Sequence, residues 1–430
     1  MEYNTVFFGN VAKIKNGYAF KSKEFKEEGI PVIKIKNIIS PIVDIKDTQK
    51  VSIKTYEETK NFLLKKDDIL ISLTGSGVNQ MSSAVGKVGK IEFDYTALQN
   101  QRVGKFELKY TNSADLDFLF YYFLQPKITN YLVRNSTGSA NQANISSKLI
   151  ETVKIPNFSL KKQKSISKFL NQITRKIEIN KKIIANLEEL SQTLFKRWFV
   201  DFEFPDENGN PYKLSGGEMV DSELGEIPKG WNVKNLDDIA NYVNGLAMQK
   251  FKPTDNQNSL PVVKIKELKN GSTDENSNRC TSEIPDKVLI NDGDIIFSWS
   301  ATLLVKMWCG GKAGLNQHLF KVSSDKYPKW FYYYWTKRYI DYFIGIANDK
   351  TTTMGHINRK HLSHAKILIP NDRTLEKFSR TFDDLLEKEL SVSKECKRLI
   401  ELRDTLLPKL MSGELEIPDD VEVNTDELSI

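Results

Sequence analysis

The residues best suited to chemistry in this 430-residue chain are hydroxyls, amides and imidazoles set in short polar stretches. Thr74-Gly75-Ser76-Gly77-Val78-Asn79-Gln80 follows an apolar run; its glycines let backbone approach a ligand closely, and Asn79 and Gln80 offer paired donors and acceptors. Such amides match the edge of an adenine, and Lys or Arg match phosphates, so the chemistry on offer is recognition of a nucleic acid rather than bond making. Asn100-Gln101-Arg102 is a second stretch, answered later by Asn316-Gln317-His318, and backbone positioning and base contact are both open for this pair. Ser298-Trp299-Ser300 occupies the place of the 74–80 loop further along, where Trp299 wedges or stacks on a ligand or caps the core. Asn141, Gln142 and Asn144, and later Thr351, Thr352, Thr353, His356 and Arg359, form polar loops ahead of a short final strand and are favoured for groove contacts. Lys34 with Lys36 and Lys264 with Lys266 alternate with apolar residues, as along one face of a strand, and suit phosphate contact or a solvated face.

Bond-making chemistry has little support. There is no Gly-x-x-x-x-Gly-Lys phosphate loop; Asn210-Pro211-Tyr212 lacks the second proline of an amino-methyltransferase motif, and Pro285-Asp286 lacks the acid-x-Lys partner of a nuclease. The four histidines lie between His318 and His364, and His361 with His364 has no carboxylate or thiol arrangement to complete a metal site. Cys280, Cys309 and Cys396 are too few and too widely spaced for a disulfide framework. No metal, no cofactor and no catalysis are therefore expected. No apolar run reaches the roughly 18 residues of a membrane span, and the start lacks a signal-peptide profile, so a cytoplasmic location is expected.

Charge is unevenly placed. Seven acids and no Lys or Arg follow Met411, leaving 62 Lys and Arg against 49 acids in residues 1 to 411, a net +13. That balance suits a polyanionic partner. Residues 201–226 hold eight acids against Lys213, with Pro205, Gly209, Pro211, Gly216, Gly217 and Gly225, a linker composition.

Positioning of the polar loops falls to a plan that the chain states twice. Asn16-Gly17-Tyr18-Ala19-Phe20 returns as Asn244-Gly245-Leu246-Ala247-Met248, and Pro31-Val32-Ile33-Lys34-Ile35-Lys36 as Pro261-Val262-Val263-Lys264-Ile265-Lys266. Asp68-Ile69-Leu70-Ile71-Ser72 pairs with Asp294-Ile295-Ile296-Phe297-Ser298. Short β-rich runs and aromatic helical stretches at residues 118–124 and 330–342 make each copy a mixed α and β module. Each copy ends through a proline in a long helical pattern. In the first, Ile166, Leu170, Ile173, Ile177, Asn180, Ile184, Leu187, Ser191, Leu194 and Trp198 step by four and three; a shift of 212 residues gives Phe378, Phe382, Leu385, Glu389, Val392, Cys396, Leu399, Arg403, Leu406 and Leu410. Patterns this long, about 60 Å at 1.5 Å per residue, predict two helices that pair with each other.

The expected architecture is α+β: module 1 over residues 1–156, a long helix over 157–204, an acidic linker over 205–226, module 2 over 227–370, a second long helix over 371–412 and an acidic tail over 413–430. If the helices pair antiparallel, the pseudo-twofold relation suits the local dyad of duplex DNA, with half-sites about one to one and a half turns apart.

Three stretches carry a resemblance. Leu194-Phe195-Lys196-Arg197-Trp198-Phe199-Val200-Asp201-Phe202-Glu203 resembles the end of the central conserved region of type I restriction-modification specificity subunits. Ser222-Glu223-Leu224-Gly225-Glu226-Ile227-Pro228-Lys229-Gly230-Trp231 is similar to the usual opening of a module in that family, and Leu406-Leu407-Pro408-Lys409-Leu410-Met411-Ser412-Gly413-Glu414-Leu415 to its distal conserved end. The first module departs by starting at Phe7-Phe8-Gly9 without such a leader. The resemblance implies two target-recognition domains, double-stranded DNA as ligand, and helices that dock two methyltransferase subunits, with restriction subunits outside these. The competing expectation is a non-catalytic coiled-coil scaffold binding other proteins, which leaves the positive charge unexplained.

Overall fold

The structure, a computed structural model, describes residues 4–77, 85–139, 142–253, 258–349 and 356–417. It divides into two units, Met1–Arg175 with Glu401–Ile430, and Lys176–Ile400. The first unit holds a six-stranded sheet in the order Ala12–Asn16, Val103–Leu108, Ile69–Ser72, Val88–Lys90, Ile42–Val43, Ile38–Ile39. A five-stranded sheet beside it includes Ile30–Ile33 and Ala97–Gln99, which pair in parallel. The second unit repeats this with two four-stranded sheets: Asn241–Asn244, Leu319–Ser323, Ile295–Ser298, Leu304–Met307, and Arg279–Thr281, Ser259–Val263, Ala313–Leu315, Leu289–Ile290.

The central strand of each unit explains its unbroken apolar sequence. Ile69 and Ile71 feed one core while Leu70 feeds another, and likewise Ile295 and Phe297 are buried on one side and Ile296 on the other. Side chains alternate across a strand, so a strand covered on both faces has no polar position to spare.

The shared Asn-Gly pairs also have a steric cause. A Cβ on Gly17 would lie 2.3 Å from the Asn100 carbonyl oxygen, and one on Gly245 would lie 2.1 Å from that of Asn316. The chain crosses the Asn100 and Asn316 turns too closely for any side chain.

The long helices are Leu160–Phe199 and Asp372–Ser412. Ser159 caps the first through the Lys162 amide, and Asn371 caps the second through the Thr374 amide. Each unit contains a stretch of both. In the first unit Ile166 and Leu170 share a core with Leu407, Leu410 and Met411 and with Phe118 and Leu119 of the aromatic helix Leu116–Leu124. In the second, Asn180 donates to Glu395 at 2.9 Å and the Trp198 ring lies 4.5 Å from that of Phe378. In the second unit rising numbers on one helix meet falling numbers on the other, so the pairing there is antiparallel. Trp330 of the aromatic helix Lys329–Arg338 stacks on Phe382 at 4.5 Å, so the stripe that pairs the helices also holds each module.

The seam departs in detail from its predicted heptad. Ile173, Ile177 and Cys396 are buried and Leu194 packs against the core, while Ile184, Leu187, Leu385, Leu399 and Leu406 are only half-buried. Leu386 and Leu407, one residue on, are buried instead. A 3.6-residue helix drifts against a 3.5-residue repeat, and the aromatic helices draw the buried stripe sideways.

Two local expectations are corrected. Lys34 and Lys36 do not share a strand face: the strand ends at Ile33, and Ile35–Asn37 forms a helical turn capped by Asn37 on the Lys34 amide. Lys264 likewise precedes the helix Ile265–Asn270, its amide donating to Glu267. Residues 205–226, expected as a linker, hold ordered structure. The Tyr212 ring stacks on Phe204 at 4.6 Å, and Met219–Ser222 pairs with Gly225–Pro228. Glycines and acids supply the turns there, and the aromatics anchor them.

Candidate nucleic-acid interface

In the first unit the strand Ile69–Ser72 delivers the chain to Leu73, whose backbone is tied on both sides. Its amide donates to the Arg102 carbonyl at 2.9 Å and its carbonyl accepts from the Ile145 amide at 2.9 Å. Thr74 then pairs with Asn144, and Gly75 with Ala143. The expected loop thus begins as a strand, and it joins three stretches that are distant in sequence: 73–76, 100–102 and 142–144. Gln142, opposite Ser139 in the same small sheet, is exposed, as are Gln101 and Arg102.

The second unit builds the same patch. The Ile357 amide donates to the Trp299 carbonyl at 3.1 Å, and Ser300 bridges to His356. Asn316 repeats Asn100: their amides donate to the carbonyls of Val263 and Ile33, each at 3.1 Å, and their carbonyls accept from Leu319 and Val103. Asn100 and Asn316 are therefore fixed by the fold; of the residues that follow them, Gln101, Arg102 and His318 are exposed and Gln317 is half-buried.

The side chains differ between patches although the Leu73 and Trp299 carbonyls are tied alike. Leu73 is buried and apolar, whereas Trp299 is half-buried with its ring centroid 5.9 Å from that of His318 and 6.4 Å from that of His356. The Trp299 indole Nε1 and the Gln317 Oε1 are shielded from solvent without a hydrogen-bond partner, as is Thr74 Oγ1 in the first unit. Buried polar atoms left unpaired cost about 1–3 kcal/mol each, a cost that a ligand supplying the partner would relieve. Gln317 Nε2 lies 3.4 Å from His318 Nε2. Arg359 is exposed at the start of a short helix and donates to the Tyr242 carbonyl at 3.0 Å, so its guanidinium also braces the fold. Ser76 and Ser300 sit within the patches at half exposure, whereas Asn79, Gln80, Asn141 and Thr352 lie outside the described residues.

The arrangement is a set of donors, acceptors and rings for binding. Among the described residues no cluster of three or more His, Cys, Asp or Glu could hold a metal, and no helix is long and apolar enough to cross a membrane. The pairing of residue 74 with 144 and of 300 with 356 escaped sequence reasoning. One signal was available: the 212-residue shift that superposes the helices also carries Asn144 onto His356.

Comparison with known proteins gives this duplicated architecture a family. The family model described as the type I restriction modification DNA specificity domain matches residues 1–189 and 228–402. The chain is 29% identical over 310 residues to the type I restriction enzyme MjaIX specificity subunit of Methanocaldococcus jannaschii, covering 70% of each chain. It is 26% identical over 426 residues to the putative MjaX specificity subunit of the same organism, covering 94% of this chain and 91% of that one. Among solved structures, the S subunit of a type I restriction-modification system from M. genitalium has the same fold, with a TM-score of 0.57 at 15% identity over 96% of each chain. Two repeats of one α+β module, each matched by the same family model, show that the chain belongs to the type I restriction-modification DNA specificity family.

Proposed function

We propose that this chain reads a bipartite, asymmetric duplex DNA target, one half-site per module, and that its long helices dock two methyltransferase subunits, with restriction subunits joining outside these. Methylation and cleavage belong to the partners; the chain itself contributes recognition, and a DNA ligand places its work in the cytoplasm. One observation carries the reading: the two modules tie the Leu73 and Trp299 carbonyls to an isoleucine amide alike and bridge Thr74 to Asn144 and Ser300 to His356, while the residues at these ties differ, buried Leu73 with Arg102 and Asn144 in one, half-buried Trp299 with His318 and His356 in the other. A binder of two identical ligands would keep those positions alike. A reader of two different half-sites must vary them while keeping the scaffold.

The test is binding of labelled duplex to the chain assembled with its methyltransferase partner across a salt series. Phosphate contacts release counterions, so affinity should fall steeply, about 10³-fold or more between 50 and 200 mM salt if six or more phosphates are neutralised. A flat response would remove DNA as the ligand.

A further inference from the structure

Within the two patches one side chain is repeated beside neighbours that differ. Gln101 and Gln317 follow the structural Asn100 and Asn316 at equivalent places, next to positions at which every outward side chain differs. The fold accounts for the asparagines: their backbones bind Ile33 and Val263, their carbonyls cap the next strand, and Gly17 and Gly245 cross over them. It does not account for the glutamines. Gln101 is exposed, and Gln317 has its Oε1 shielded without a partner while its Nε2 lies at the long distance of 3.4 Å from His318. A side chain that is identical in two copies, is not needed by either scaffold, and stands among side chains that differ, answers to something the two ligands share.

We propose that Gln101 and Gln317 are a matched pair of base readers, each contacting an adenine common to both half-sites, while Arg102 and Asn144, and Trp299, His318 and His356, read what differs. The proposal rests on the reading of the patches as DNA-binding. The chemistry follows from the amide: its Oε1 accepts from the adenine N6 amino group and its Nε2 donates to N7, a bidentate match in the major groove that no other base offers in the same sense. Asparagine, one methylene shorter, makes the same match, but Asn100 and Asn316 are held back in the turn.

The experiment selects duplexes from a randomised library with the full chain and its methyltransferase partner, then resynthesises the selected target with 7-deazaadenine at each adenine in turn. The analogue keeps the amino group and lacks N7. In each half-site one substitution should weaken binding about tenfold. Gln101→Ala should abolish that sensitivity in the first half-site alone, and Gln317→Ala in the second alone. Gln101→Glu, acceptor only, should shift preference at its position from adenine towards cytosine, whose N4 amino group donates. Because Gln101 is exposed, its variants should keep the wild-type circular dichroism and thermal midpoint. Variants that retain the wild-type 7-deazaadenine profile, or that weaken selected and unselected duplexes equally as loss of a phosphate contact would, overturn the pairing while leaving DNA recognition intact. If the wild-type assembly selects no sequence, DNA reading itself fails, and the glutamine proposal falls with it.

Discussion

The strand-end patches of the two modules share their key backbone ties and differ in side chains. Leu73 and Trp299 occupy the same node, each with its carbonyl accepting from the isoleucine amide beyond a paired strand, Ile145 or Ile357. Leu73 is buried in its core, whereas Trp299 reaches out between His318 and His356. The hydrogen-bonded frame and the close glycine crossings are what duplication had to preserve. The outward positions could diverge because backbone bonding places no demand on them.

The largest expected effect is that of exchanging one module. Exchanging residues 1–155 for the equivalent module of a relative should replace one half of the recognised sequence and leave the other untouched, read by methylation mapping of the assembled complex. A chimaera altered in both halves would show that the patches act jointly.

The next largest effect tests the helices. A chain ending near Leu214 keeps the first module and the first helix but loses Leu407, Leu410 and Met411, which cover Ile166 and Leu170. The exposed stripe is then best buried against the same helix of a second molecule, and a closed twofold dimer is the commonest solution. Light scattering should report a dimer, and its complex should modify an interrupted palindrome of the first half-site. A stable monomer acting on the original asymmetric site would refute pseudo-twofold pairing.

A smaller effect separates the helices from each other. Where the first helix has Ile177, the second has Glu389, buried beside Glu188. Loss of solvent, and then the Glu188 charge, push the Glu389 carboxyl up from 4.5 to about 7, with Lys337 opposing. A carboxyl raised on folding stabilises the fold only while protonated. Its contribution is full below the ordinary value and is lost as pH rises through about 7. The loss is on the order of 3 kcal/mol at most. The thermal midpoint should therefore fall between pH 4.5 and about pH 7, and Glu389→Gln should flatten that part of the profile and raise stability at the alkaline end. An unchanged slope in the variant would assign the pH effect elsewhere.

The smallest expected effect sharpens the patch itself. Trp299→Leu installs the first module's residue in the second. It should leave the first half-site unaffected and relax discrimination in the second by about 1–3 kcal/mol at one position, measured by competition among single-base variants. Equal loss on both half-sites would make Trp299 a core residue only.

Much of this was legible in the order of residues. The duplication, the two long helices, the aromatic helices and the central strands follow from recurring segments and hydrophobic period, because those patterns record which faces are buried. Asn100-Gln101 and Asn316-Gln317 were visible as a pair, yet their division into a structural and an outward residue was not: it depends on Gly17 and Gly245 crossing from far along the chain. The ordered 205–226 segment was hidden because its composition is that of a linker, while its anchorage by Tyr212 on Phe204 is a matter of packing.

The sequence by itself determined that there are two modules of one plan, that each ends in a long helix, and which residue types could meet a polyanion. Repeats, period and charge are properties of order along the chain. Only the tertiary structure decided that residues 73–76, 100–102 and 142–144 form one patch, that Ser300 meets His356, and that the buried stripe runs through Leu386 and Leu407 rather than Leu385 and Leu406. Those outcomes turn on backbone groups finding partners at long range and on helices drifting to cover their aromatic neighbours, and neither is written in local pattern.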